Sequence, residues 1–287
     1  MNIRKICVPM SGRYDTLDPE NLDGPALQAA LIYAKSFAAQ IEVLCVTETV
    51  AQAPAPWTAW IPNYGVAELF KEFERLGNVR RDHARKTFDQ IVGQDVGAVP
   101  CEFVESAGDI GDTVGDAGRL SDMIVLASSK TRWDMPFRPI MDASLRRTGR
   151  PVLVSPKEPL TTAATNITLA WNNSVESARA LATALPLLAR TGTKTTIIIC
   201  REDNDQTDFR GDALVAYLQL HGVDAQVNQL HSEKRKAAQT ILGAAVDQGS
   251  DLLVLGTAIH SRAHSLIYGS LTEAALSSPR LPALLVP

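Results

Sequence analysis

Short, nearly unbroken apolar runs alternate along this chain with longer stretches in which Ala and Leu recur every three or four positions. The first half opens on IRKICVP, an apolar run that breaks into a turn and is followed by DGPALQAALIYAKSFAAQ. The second half repeats the pattern with ITLAWNN and SVESARALATALPLLAR. Short apolar runs bounded by turn residues predict strands buried on both faces, and the three-to-four recurrence predicts helices packed on them. A second pair lies further along each half. SDMIVLASSKTR begins at Ser121 and SDLLVLGTAIHSR at Ser250. Each is preceded by a helix-like segment, DTVGDAGRL or AAQTILGAAVDQG, and each is followed by a short helical stretch and a last strand, RPVLVSP or LPALLVP.

Duplication is the simplest account of two halves that read alike. The seam is SPKEPLTTAATN, Ser155 to Asn166, which is rich in proline and threonine and has no periodicity. The expected domains are residues 1–156 and 166–287, joined by a linker at 157–165, with an insertion at about 48–92 in the first. Each half reads strand, helix, strand, helix, strand, helix, strand, helix, strand. That alternation predicts an α/β fold of two tandem Rossmann-like domains, each a five-stranded parallel sheet with helices on both faces. A ligand crevice in such a sheet lies beyond the carboxyl ends of the strands, where strand order reverses. The insertion contains TETVAQAPAPWTAWIPNYG and a long helix-like run, VAELFKEFERLGNVRRDHARKTFDQIV. Trp57, Trp60 and Tyr64 make that loop apolar, which fits either a surface loop packed on its own domain or a lid or partner contact.

Composition narrows the function. The chain has 287 residues, 45% of them hydrophobic and 21% charged, with a net charge of -4, a balance that suits a globular protein and gives no basic stripe for nucleic acid. The short basic groups Arg80-Arg81 and Lys234-Arg235-Lys236 read as solvated helix faces. No stretch approaches the roughly 20 apolar residues that span a bilayer, and MNIRKICVPM lacks the apolar core of a signal peptide. Cys7, Cys45, Cys101 and Cys200 sit in or beside strand-like runs and form no C-x-x-C pair, so they read as small, buried, reduced thiols. These features together place the expected protein in the cytoplasm.

Two stretches carry candidate chemistry. VPMSGRYDTLD, from Val8, resembles the S-G-G-x-D-S phosphate loop of ATP pyrophosphatases at Ser11, Gly12, Asp15 and Thr16. Arg13 stands where that loop needs bare backbone, and the sequence offers no general base, nucleophile or metal cluster to serve a second substrate. Asp15, Asp18, Glu20 and Asp23 read as a solvated acidic loop rather than a metal site. The second stretch follows the apolar run at Asp251. Gly256 can turn the backbone and bring amide N–H groups toward an anion. Ser270 and Glu273 have the spacing of a capping box at the start of the last helix, whose free N–H groups can also hold an anion. His260, Arg262 and His264 lie in the loop between.

The stretch from Asp251 to Pro287 resembles the universal stress protein family, whose members carry a strand, G-x-x-G, nine residues, G-[S/T], a helix and a terminal strand. Gly256 begins that pattern here and Gly269-Ser270 closes it at the same spacing. LAWNNSVESARAL, from Leu169, is similar to the family's first strand and turn. The resemblance covers both halves and implies a tandem, HUP-type, non-enzymatic stress-response protein. It implies an adenine nucleotide, ATP or AMP, in the C-terminal domain, with Trp171, Asn172, Cys200, Gly256, Thr257, His260, Arg262, Gly269, Ser270 and Leu271 as the site. Trp171 reads as either core or a wall of the base pocket. Three departures mark this chain. Ile259 replaces the second glycine, and its β-branched side chain opposes a positive φ. Asn172 replaces an acidic residue that contacts adenine in nucleotide-binding members, and Asn173 replaces a glycine while tolerating the left-handed region. In the first half Ala127 and Lys130 stand at the two motif glycines, and Pro139 to Asp142 contains no Gly-Ser. Asp142 is expected to cap a helix and to repel phosphate, so no nucleotide is expected there. The alternatives are a ligand-independent interaction module with an unknown protein partner and, further off, an ATP pyrophosphatase-like enzyme using the Ser11 loop. Family members pair through their last strands, which implies an intramolecular pseudo-dimer through RPVLV and PALLV and leaves room for a further homodimer.

Overall fold

The computed structural model describes residues 3–12, 23–47, 66–95, 99–128, 137–202, 211–233, 236–257, 269–277 and 281–287. The Trp57/Trp60 loop, the acidic positions Asp15, Asp18 and Glu20, and the loop holding Ile259, His260, Arg262 and His264 lie outside the described residues. The chain forms two compact units. One holds Ile3–Ala127 and Arg132–Arg150, and the other holds Ser128 and Pro151–Pro287.

In the N-terminal unit the elements are β1 (Lys5–Met10), α1 (Gly24–Phe37), β2 (Gln40–Thr47), α2 (Val66–Gln94), β3 (Cys101–Ala107), α3 (Ile110–Arg119), β4 (Met123–Ala127) and α4 (Phe137–Arg146). Its strands lie in the order β3-β2-β1-β4, and their pairings are parallel. The C-terminal unit holds β5 (Val152–Ser155), β6 (Asn166–Ala170), α5 (Val175–Leu188), β7 (Lys194–Glu202), α6 (Asp212–Leu220), β8 (Ala225–Ser232), α7 (Ala237–Asp247), β9 (Leu252–Gly256), α8 (Ser270–Ser277) and β10 (Ala283–Val286). Their order is β5-β10-β9-β6-β7-β8. All these pairings are parallel except β5 with β10, which run antiparallel with Val152 opposite Leu285 and Val154 opposite Ala283. Thus β5, which closes the first sequence repeat, is a strand of the second unit, paired through the RPVLV and PALLV runs.

Burial explains why these runs are strands. Every residue of β4, β5 and β10 is buried, as a parallel sheet covered on both faces demands. β3 and β8 instead mix exposed and half-buried positions, and each stands at the edge of its unit's sheet. The Ser-Asp pairs that open SDMIVLA and SDLLVLG do the same work twice. The Asp122 carboxylate accepts the Arg4 and Lys5 N–H groups at 2.8 and 3.0 Å. The Asp251 carboxylate accepts the Thr165 and Asn166 N–H groups, both at 2.8 Å. Each clamps the start of a neighbouring strand, β1 or β6, to the start of its own. The repeat therefore extends from element order to individual hydrogen bonds.

The helices follow their local chemistry. Asp109 caps α3 by accepting the Asp112 N–H at 2.8 Å. α1 stops at Ala38, which takes the left-handed conformation at φ 51. The long helix-like run of the insertion forms α2, held on β3 by Arg85, whose guanidinium lies 4.0 Å from the Phe103 ring centre and 3.0 Å from Glu105. Asp142 does not cap: it lies inside α4, 3.7 Å from Arg138 one turn earlier. The four cysteines are free; Cys7 and Cys45 are buried, Cys101 and Cys200 partly so. Burial, with the Glu42 charge adding, pushes the Cys7 thiol up to about 12. Burial does the same to Cys45, up to about 12, with Asp23 and Glu105 adding. Among the described residues no helix is long and apolar enough to cross a membrane.

Candidate functional site

The strand order of the C-terminal unit reverses between β6 and β9: the chain leaves β6 toward β7 on one side, and β9 lies on the other. Their carboxyl ends open on a cavity of about 150 Å³. One wall is the end of β6 and the turn after it, Ala170, Trp171 and Asn172. Trp171 is held by its backbone N–H, which donates to the Ile198 carbonyl at 2.9 Å, and it is only 9% exposed. It belongs to the core and also lines the cavity. The turn is built by side chains. The Asn172 carboxamide oxygen accepts the Ser174 N–H at 3.2 Å, an Asx turn that gives that oxygen an internal partner. Asn173 then sits at φ 59, the left-handed conformation its amide side chain tolerates. Ser174 starts α5 with a reciprocal cap: its hydroxyl accepts the Ser177 N–H at 3.2 Å, and its own N–H donates to the Ser177 hydroxyl at 3.0 Å.

The facing wall is Leu255 and Gly256 at the end of β9, with Leu271 from the first turn of α8. Gly256 is there for space. Its φ is not positive, so the left-handed turn expected of it does not form. A Cβ at this position would overlap the Glu176 backbone carbonyl and lie 2.7 Å from the Glu176 Cβ. The first turn of α5 thus packs directly on the end of β9, and only glycine permits that approach. Glu176 also lines the cavity, half-buried.

Trp171, Asn172, Gly256 and Leu271, drawn from three separate stretches of sequence, meet in one cavity. The other expected residues fall elsewhere. Thr257 is turned to β10, its N–H and hydroxyl both donating to the Val286 carbonyl at 2.8 and 3.3 Å, so it is committed to the sheet. Cys200 stands near the end of β7, in register with Leu230 of β8, and is not part of the cavity lining. Gly269 takes the cap position of α8, because the Glu273 N–H donates to its carbonyl at 3.0 Å. Ser270 is therefore the first helical residue and not the cap, one position from the expected capping box. His260 and Arg262 lie outside the described residues. Sequence reasoning missed Ser174, Glu176 and Ser177. The signal was present in S-V-E-S after an Asn-Asn turn, which marks a cap at the mouth of the crevice. Among the described residues no group of three or more His, Cys, Asp and Glu could hold a metal ion.

At the equivalent point of the N-terminal unit the described residues pack on one another. After β1 the chain turns through Gly12, at φ +59, matching Asn173 after β6. The Asp23 carboxylate fills this turn. It accepts the Ser11 N–H at 3.2 Å, the Ser11 hydroxyl at 3.0 Å and the Gly12 N–H at 2.8 Å. Asp23 is 6% exposed, so it is not a member of a solvated acidic loop. Behind Gly12 the α2 backbone comes so close that a Cβ would overlap the Arg80 carbonyl. The amides that a phosphate loop at Ser11 would offer are thus already taken.

Solved structures that align with this chain include universal stress proteins. One from Archaeoglobus fulgidus DSM 4304 aligns over 98% of this chain and 97% of its own, at 13% identity and a TM-score of 0.67. A functionally unknown protein from Pseudomonas aeruginosa PAO1 aligns over 99% of this chain and 92% of its own, at 16% identity and a TM-score of 0.57. A candidate universal stress protein from Pseudomonas aeruginosa UCBPP-PA14 covers 99% and 93%, at 15% identity and a TM-score of 0.54. At these identities the likeness is one of fold: the chain has the tandem α/β fold of the universal stress proteins. No protein-family model matches the sequence, and no curated protein matches it significantly.

Proposed function

We propose that this chain is a tandem universal stress-type protein of the cytoplasm that binds one adenine nucleotide, ATP or AMP, in its C-terminal unit and acts by binding rather than by catalysis. The observation that carries the reading is the cavity at the β6 and β9 ends, where Trp171, Asn172, Gly256 and Leu271 converge. A crevice at that point of an open parallel sheet is where ligands of this architecture sit. Trp171 offers an apolar wall to a base. With its oxygen engaged in the turn, Asn172 is left with its NH₂ group as a donor, which favours a ligand atom that accepts. The phosphates would extend toward Leu271 and the start of α8, where helix N–H groups favour an anion.

Calorimetric titration of the purified protein with ATP, AMP and adenosine tests the reading. Saturable binding of ATP or AMP is the expected result, and no heat at millimolar ligand would refute the nucleotide part.

A ligand-independent interaction module is the second reading, and two observations favour it. A cavity of about 150 Å³ has room for one aromatic ring, less than a whole nucleotide. Glu176 also brings a carboxylate side chain to the wall beside Gly256. This reading requires that ATP, AMP and adenosine all fail in the same titration.

A further inference from the structure

The cluster at the end of β1 joins a buried carboxylate to two successive backbone N–H groups and a hydroxyl. Both Asp23 oxygens are engaged. Oδ1 takes the Ser11 N–H and hydroxyl, and Oδ2 takes the Gly12 N–H at 2.8 Å. Successive backbone N–H groups turned onto one point beside a residue of positive φ make an anion-binding hollow. Asp23 immediately precedes α1, where an aspartate ordinarily caps its own helix. Here its side chain does not cap that helix and reaches back eleven residues to Gly12. The equivalent turn of the second repeat, at Asn173, opens on a cavity. The same positive φ therefore stands beside a cavity in one repeat and beside the chain's own carboxylate in the other.

We infer that the Ser11 and Gly12 amides and the Ser11 hydroxyl form an oxyanion-binding site that Asp23 occupies in cis, so that the N-terminal unit carries its own anion in place of a free ligand. The class of anion the hollow accepts is a carboxylate. Removing the Asp23 side chain takes the carboxylate away from the Ser11 N–H, the Ser11 hydroxyl and the Gly12 N–H, and a small free carboxylate takes its place. Without either, these buried donors lose a charged acceptor and the unit is destabilised. The inference is independent of the C-terminal ligand, so the failure of one leaves the other standing.

Thermal unfolding of Asp23→Ala in sodium formate, against sodium chloride at equal ionic strength, is the test, with sodium phosphate as a third arm. The variant is expected to melt below the wild type in chloride. Formate is expected to restore at least half of the lost melting temperature, saturably, while the wild type responds alike to both salts. A phosphate response equal to that of formate would extend the class to tetrahedral oxyanions and support the site. Equal responses of the variant to formate and chloride, or a variant as stable as the wild type, would overturn the inference. Should Asp23→Ala stay unfolded in every salt, Asp23→Asn decides. It keeps the size and one acceptor but not the charge. A folded, destabilised Asn variant supports the site, and an Asn variant equal to the wild type overturns it.

Discussion

At the scale of single residues, shape and backbone conformation decide more than chemical identity. Gly256 was legible as important from the sequence, but the reason was not. A strand-end glycine before a loop suggests a left-handed turn, whereas the structure uses its missing Cβ to admit the first turn of α5. No local pattern can reveal that, because Glu176 lies eighty residues earlier. Gly256→Ala should therefore push on backbone, not on a yielding side chain, and cost about 1–3 kcal/mol. It should also displace the Glu176 wall and abolish nucleotide binding, which chemical denaturation and calorimetry would report together. Asn173 is the converse case: an Asn-Asn pair after a strand announced a left-handed residue, and φ 59 is what the turn contains. Ala38 carries the same conformation without a side chain suited to it. Ala38→Gly is expected to stabilise the protein by about 1 kcal/mol, read as a higher midpoint in urea.

At the scale of elements, the apolar runs were sufficient to place the strands, because a strand buried on both faces leaves no polar face to confuse the pattern. The ends of elements were harder. Thr257, a site residue by resemblance, bonds to the sheet through Val286, a partner twenty-nine residues ahead that only the fold supplies. Asp122 and Asp251 each hold a strand start through two backbone N–H groups. Asp251→Ala should cost about 1.5–3 kcal/mol, since its hydrogen bonds are made to a charged acceptor. Amide exchange should then quicken at Thr165 and Asn166 before it quickens elsewhere in β6. β1 and β2 each carry a buried thiol raised to about 12 from an ordinary value of 9.0. The unfolded chain loses these protons first, so the folded state is penalised as pH rises through 9 toward about 12 and unaffected below it. Each thiol adds a loss of up to about 1.4 kcal/mol per pH unit in that window. The Cys7→Ala, Cys45→Ala double variant should flatten the alkaline limb of the stability profile measured by urea unfolding.

At the scale of the whole molecule, duplication was the most legible feature, since two matching orders of nine elements survive even where side chains have diverged. What the sequence could not disclose is how differently the two copies use the same crevice. Ser11-Gly12 and Asn172-Asn173 look like variants of one turn. Among the described residues, Asp23 and the Arg80 backbone pack against the first turn, and the bare Gly256 lets α5 approach β9 beside the cavity at the second. The two copies of one turn are thus used differently, one holding the Asp23 carboxylate and the other bordering a cavity. The number of nucleotides bound per chain tests this difference most directly, measured by calorimetry on the intact protein with AMP and ATP. One site per chain, lost in Gly256→Ala and unchanged in Asp23→Ala, is the result expected. Two sites per chain, or a single site that survives Gly256→Ala and disappears with Asp23→Ala, would contradict it.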